Sequence, residues 1–301
     1  MFRKIVFLML VLMLSATSSA ADLQVGINKV RAQNNTYMLN LLKLALSYSD
    51  KPYQFVQTND RLSKDAQYQA ALHGTIAVFW GGTSPEQEET FIPVRIDGYR
   101  GLMSLRFMII RADEIARFSQ INDVSQLLEI SMGQGRGWKD GDILRSAGFT
   151  VELSSKKKGL FHMLEGGRFD AFPRGATEAW AEVEANKDLS LAVEEHLIIR
   201  YPLPTYFFVN KNRIELAQDI EHGLMSALQD GEFDRFFYSS DRVQRFLRRA
   251  NLQQRKIIDL NNPFLTPEAI DSRKYNLSVE DLIQGWQRIQ QGEFALQSDE
   301  S

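Results

Sequence analysis

The chain has 301 residues, 44% of them apolar, with a formal net charge of −3 and no cysteine. That mild acidity leaves no electrostatic footprint for nucleic acid or anionic lipid, and the lack of thiols excludes a disulfide framework or a lipidated cysteine. The length and apolar content suffice for a sizeable core, most simply as two lobes.

The first predicted element is an export tag. Arg3 and Lys4 precede an apolar run from Ile5 to Leu14, and small residues from Ser15 to Ala21 close the segment. This order fits a secretory signal over residues 1–20, cut after Ala20 or Ala21. The apolar run is about half of the ~20 residues a membrane span needs, so a retained anchor is the weaker reading. Removal of the tag takes two of the 35 basic residues and none of the 38 acidic ones, leaving a net charge of −5. The expected address is the periplasm.

Leu23 to Ile27 alternates like a strand. Met38, Leu41, Leu42, Ala45 and Leu46 then mark an amphipathic helix over 36–49, with Asn34 or Asn35 as its cap and Pro52 at its end. Tyr53 to Val56 reads as a strand, Ser63 to Leu72 as a helix stopped by Gly74, and Thr75 to Trp80 as an apolar strand punctuated by Gly81-Gly82-Thr83-Ser84-Pro85. Alternating strands and helices predict parallel α/β packing. After a turn-rich polar patch, Leu102 to Arg111 is extended and the pattern restarts. It runs through a helix at 124–128, a strand at 129–132, a glycine loop Gly133-Gln134-Gly135-Arg136-Gly137 and a helix at 142–147 capped by Asp142. A strand at 149–153, a helix at 158–165, a strand at 169–172 and a helix at 177–186 complete the second run. Tyr206 to Val209 is a further strand, and Leu216, Ile220, Leu224 and Leu228 mark a helix, followed by another helical stretch from Asp230. Beyond Asp241 lies a tail of about 60 residues, in which Ser278 and Asp281 predict a capping box for a helix reaching Ile289. Gln297 to Ser301 is expected to be disordered.

Four stretches carry a resemblance: Leu23-Gln-Val-Gly26; Gly74-Thr-Ile-Ala-Val78 with Thr83-Ser-Pro-Glu86; Gly166-Gly-Arg-Phe-Asp-Ala171; and Tyr206-Phe-Phe-Val-Asn-Lys211 with Asp230-Gly-Glu-Phe-Asp234. In this order they resemble solute-binding protein family 3, the extracytoplasmic binding proteins of the polar amino acid type, over roughly three quarters of the mature chain. The resemblance implies a type II periplasmic binding protein, an α/β fold of two lobes with two hinge crossings and a ligand cleft between them. Lobe 1 would comprise 22–108 and 206–240, lobe 2 109–205, and 241–301 a mostly helical C-terminal extension. The family's carboxylate-clamping arginine after the threonine–proline–glutamate turn is replaced here by Gln87, which lacks a charged two-pronged donor. Its second carboxylate, about five residues after Asp170, is replaced by Phe172-Pro173-Arg174-Gly175.

Several side chains are candidates for binding. Trp80 and Thr83 end a predicted parallel strand, where ligands of open α/β sheets lie; otherwise Trp80 is core and the glycines merely turn the chain. Arg136, Trp138 and Lys139 sit at a strand-to-helix loop suited to anions and flat groups, or form a solvated turn. Arg174 stands at a strand end beside Glu178, either meeting an anionic group or pairing locally with that glutamate. Arg95 and Arg100 precede the hinge. Glu178 and Glu182 share a helical face, which keeps a general acid/base open, while His73, His162, His196 and His222 show no ligand spacing. The run Arg245, Arg248, Arg249, Arg255, Lys256 reads as a solvated face or a docking surface. The expected protein is a monomeric, non-enzymatic, cofactor-free and metal-free binder of a small polar, anionic or carboxylate-bearing solute, serving an ABC-type permease without contacting nucleic acid. The alternatives are a ligand-sensing partner of a membrane signalling protein, or a dehydratase-like enzyme on the same fold.

Overall fold

The computed structural model describes residues 23–30 and 36–296. The expected signal segment, the caps at Asn34 or Asn35 and the expected disorder of 297–301 lie outside the described residues. The chain begins with β1 (Gln24–Ile27), α1 (Thr36–Leu46), β2 (Gln54–Gln57), α2 (Lys64–Leu72), β3 (Val78–Gly82), α3 (Pro85–Thr90) and β4 (Ile92–Val94). It continues through β5 (Leu105–Arg111), α4 (Ile115–Phe118), α5 (Val124–Leu127), β6 (Met132–Gly135), α6 (Lys139–Ser146), β7 (Val151–Ser154) and α7 (Lys157–Glu165). Then come β8 (Ala171–Gly175), α8 (Ala179–Ala185), β9 (Leu191–Val193), β10 (Leu197–Arg200) and β11 (Thr205–Val209). The last elements are α9 (Ile214–Asp230), α10 (Glu232–Ser239), α11 (Asp241–Ala250), β12 (Lys256–Asp259), α12 (Pro267–Asp271) and α13 (Val279–Gln290).

The strands divide into two lobes. In the first, β1 pairs in parallel with β2, from Gln24 opposite Gln54 to Ile27 opposite Gln57. β11 lies antiparallel between β3 and β4, and the amide of Ala77 donates to Gly26 O at 2.8 Å, seating β1 beside the approach to β3. In the second, the order is β12-β10-β5-β8-β6-β7, with β9 also on β5. β6 runs parallel to β7 and β8, and β5 antiparallel to β8. The result is a two-lobed α/β fold with a mostly helical C-terminal extension.

Helix positions follow their apolar spacing. α1 buries Met38, Leu41, Leu42 and Ala45 against α9, which buries Leu216, Ile220 and Leu224 at fourfold spacing. Ser63 caps α2, and the Ser278–Asp281 capping box starts α13 as its sequence predicts. α3 is hidden in the polar patch: Ser84 caps it and Pro85 opens it.

The two hinge crossings run over 95–104 and 201–204. The expected lobe boundary after residue 108 cuts through β5, whose ladder with β8 already starts at Arg106 opposite Gly175. Buried Asp97 ties the first crossing to the start of β11, accepting from the amides of Tyr99 and Gly101 at 3.0 Å and of Thr205 at 3.2 Å.

The extension does not stand apart from the lobes. β12 adds a parallel strand to β10 in the second lobe. α12 returns to the first, where Ala269 joins the Phe79, Phe91, Tyr206 and Phe208 cluster, and α13 packs on α10 and α11. Of the basic run, Arg245 and Arg249 are exposed and pair with Asp241 and Glu184. Arg255 departs from the expected solvated face. It is buried, donates to the carbonyls of Ala250 and Leu197, and lies 5.1 Å over the Phe107 ring.

Candidate functional site

The carboxyl end of β3 faces the β6–α6 loop of the other lobe, and one side chain spans the gap. Lys139, the first residue of α6, donates from Nζ to Gly82 O at 2.6 Å and to Gln87 Oε1. Gln87 stands in the first turn of α3, so its position follows from the Ser84 cap and the Pro85 start. Burial pushes the Lys139 ammonium down to about 8, since an ammonium loses hydration there. It forms no ion pair among the described residues.

Behind Lys139 lies a second, fully paired group. Trp138 stacks on Phe172 at 6.3 Å between centroids, and the Arg174 guanidinium sits 4.7 Å over the indole. The close approach requires Gly135, where a Cβ would fall 2.3 Å from the Trp138 ring. Arg174 is buried and donates to both Glu182 oxygens at 2.6 and 2.8 Å, with Glu178 at 3.0 Å. Burial opposes charge on both Arg174 and Glu182, but the ion pairs outweigh it: the arginine is raised, and Glu182, also held by Lys157, falls below the ordinary carboxylate range. That direction opposes the Glu178–Glu182 general-acid alternative for Glu182. Next to Lys139, the Asp140 carboxylate accepts from Arg106 Nε at 2.7 Å and the Tyr201 hydroxyl at 2.6 Å.

The structure thus brings Trp138, Arg174 and Glu178 together on the second lobe. Thr83 and Arg95 meet on the first, but through Glu88: its buried carboxylate accepts from the Thr83 hydroxyl, from Arg95 at 2.9 Å and from Thr266 of the extension at 2.9 Å. Trp80 is half-buried, edge-on to Phe207 at 6.1 Å. Arg136 is exposed and away from these pairs.

Arg100 corrects the expectation of a cleft residue. Its guanidinium pairs with Asp234 and donates to Tyr275 O at 2.8 Å, over the Phe233 ring, so it anchors the extension to the hinge. The expected surplus of cations is also corrected. Arg95, Arg100 and Arg174 each have a carboxylate partner. Arg136 is exposed and forms no ion pair among the described residues, and Lys139 is the cation whose ammonium bridges the interlobe gap. Sequence reasoning missed Glu88, Asp140 and Glu182 as partners, because each lies seven or more residues along the chain from the arginine it neutralises.

No family model matches the chain, and no curated protein matches it. Among solved structures, it is similar to a probable amino-acid ABC transporter extracellular-binding protein of Bacillus subtilis, with 14% identity, TM-score 0.55, and 71% of this chain and 95% of that one covered. It is also similar to an amino acid ABC transporter substrate-binding protein of Streptococcus pneumoniae bound to L-arginine, with 14% identity, TM-score 0.51, and 72% and 94% covered. A glutathione-import structure from Streptococcus mutans gives 13% identity, TM-score 0.51, and 71% and 92%. At such identities the likeness speaks for architecture: the chain has the two-lobed α/β fold of these substrate-binding proteins.

Proposed function

We propose that the chain is an extracytoplasmic solute-binding protein that captures a small polar, carboxylate-bearing solute between its lobes for an ABC-type permease. The observation that carries this reading is the Lys139 contact. In this structure the ammonium rests on two neutral acceptors, Gly82 O and Gln87 Oε1, with no carboxylate at ion-pair distance among the described residues. A solute carboxylate supplies the counter-charge to Lys139, and the solute's amine or amide N–H groups replace the ammonium on Gly82 O and Gln87 Oε1. Trp80 provides a flat wall, and the Trp138 indole, held between Phe172 and Arg174, backs the site behind Lys139. The amino-acid and glutathione neighbours are compatible with such a guest, since both classes combine a carboxylate with amine or amide donors.

A thermal-shift screen of the protein against amino acids, short peptides and organic acids tests this. A solute at about 100 times its Kd adds about 2.7 kcal/mol. In Lys139→Ala, carboxylate binding should weaken by about 2 kcal/mol, roughly thirtyfold in Kd. A screen without shifts, or a Kd unchanged in that variant, overturns the reading. A sensing partner is the second reading, favoured by the extension, which binds both lobes at β12 and α12. Cross-linking of the solute-bound protein to membranes distinguishes a permease from a signalling receptor.

A further inference from the structure

A cavity of about 600 Å³ lies away from the interlobe gap, where the extension crosses the hinge. Its walls come from the first crossing (Gly101, Ser104), the start of β5 (Leu105), the end of β10 (Arg200), the second crossing (Pro202), Asp259 and Leu260 at the end of β12, and the segment from Ile270 to Leu282. This volume falls in the range of small-molecule sites, and the lining combines apolar and polar side chains in comparable share.

Three observations give the cavity a chemistry. Asn276 lines it, and its Oδ1 is buried with no hydrogen-bond partner, a state that costs free energy until a donor arrives. Arg273 also lines it and forms no ion pair among the described residues, whereas Arg200 and Asp259 neutralise each other through two hydrogen bonds at 2.5 and 2.8 Å. The polar end of the cavity therefore carries one uncompensated positive charge. Leu105, Pro202, Leu260 and Leu277 supply an apolar surface for the rest of a ligand.

The geometry also makes the cavity a product of the fold rather than a gap between loops. Arg100 and Gly101 both adopt positive φ, +51° and +87°. The turn they form accepts the extension: Leu277 N donates to Arg100 O at 2.8 Å, and Arg100 Nε donates to Tyr275 O. Asn276 packs on Gly101, where a Cβ would lie 2.9 Å from the Asn276 Cβ. The backbone that holds Asn276 and Arg273 is thus pinned to the hinge itself.

We infer that this cavity is a second binding site, for a small organic monocarboxylate that has an apolar body and one hydrogen-bond donor. The carboxylate pairs with Arg273, the donor meets Asn276 Oδ1, and the apolar body lies against Leu105, Pro202 and Leu260. Because the walls belong to the hinge crossings, to the second lobe and to the extension, occupancy there favours the hinge geometry seen in this structure.

Hippurate, with one carboxylate, one amide N–H and one phenyl ring, is the probe. Isothermal titration of the full chain should register binding at millimolar or lower hippurate. Arg273→Ala, at an exposed position, should weaken it by about tenfold or more with an unchanged melting temperature. Val279→Trp, which fills the cavity, should also abolish it. Absence of hippurate binding to the unmodified protein overturns the proposal, as does unchanged affinity in both variants. Binding that disappears in Lys139→Ala and survives in Arg273→Ala belongs to the interlobe gap and overturns it equally. These outcomes are independent of whether the interlobe solute is found.

Discussion

Lys139 and Arg174 are both cations of the second lobe, and the structure separates their roles by what surrounds them. Arg174 is buried and shared by two carboxylates. Its removal leaves Glu182 buried without its main partner, so Arg174→Ala should lose about 3–5 kcal/mol of stability in chemical denaturation. A loss below about 1 kcal/mol would place the pair in the class of weak surface bridges. Lys139, by contrast, is depressed to about 8 by burial. Carboxylate affinity should therefore fall as pH rises through that value and the ammonium is lost, a dependence that titration calorimetry between pH 6 and 10 reads directly. Asp97 gives a third test at this scale. Burial pushes it up to about 6 despite three backbone donors and nearby Arg100. The folded state then holds its proton more tightly than the unfolded chain, so its contribution is full below the unfolded value near 4 and is lost as pH rises through about 6. That contribution is on the order of 3 kcal/mol. Asp97→Asn should flatten the stability–pH curve across this window; a curve that keeps its slope would exclude Asp97 as its source.

Among elements, helices with strong periodicity and a cap were legible from local sequence. α1, α9 and α13 lie where their apolar spacing and capping residues place them. Strands shifted more. The glycine loop expected at 133–137 is in part strand β6, because Gly133 and Gly135 are covered by the rings of Phe169 and Trp138, which turn-prone composition does not reveal. The same packing moves the start of α6 from Asp142 to Lys139, with Trp138 at the cap. Gly135→Ala forces a methyl group into the indole, an overpacking cost of about 1–3 kcal/mol. The variant should show a lowered denaturation midpoint and an altered tryptophan fluorescence spectrum, and an unperturbed spectrum would contradict the stacking described.

For the whole molecule, the extension changes what a two-lobed fold can do. It leaves the first lobe after α10, gives β12 to the second sheet, and returns with Thr266 on Glu88 and Ala269 on Phe79. Arg255 is a central tie of this strap, buried between Phe107 and the carbonyls of Ala250 and Leu197. Arg255→Met keeps much of the side-chain volume but removes those donors. It should lower stability by about 1–3 kcal/mol and increase hydrogen exchange in β10 and β12 ahead of the rest of the second sheet. Uniform exchange across that sheet would deny the strap a separate role.

Composition, periodicity and short motifs determined the alternation of strands and helices, the two-lobed class and the existence of an added tail, because these depend on neighbours a few residues apart. Apart from the local Arg174–Glu178 pair, the partners of the charged side chains at the site were decided only by tertiary structure. Whether Arg100 grips a solute or Asp234, and whether Lys139 or Arg174 is left as the uncompensated cation, depends on residues up to 134 positions away in the chain, and one sequence records no such distances. The route of the tail belongs to the same category, since an edge strand such as β12 is completed by β10, and its own residues do not specify which edge it will join.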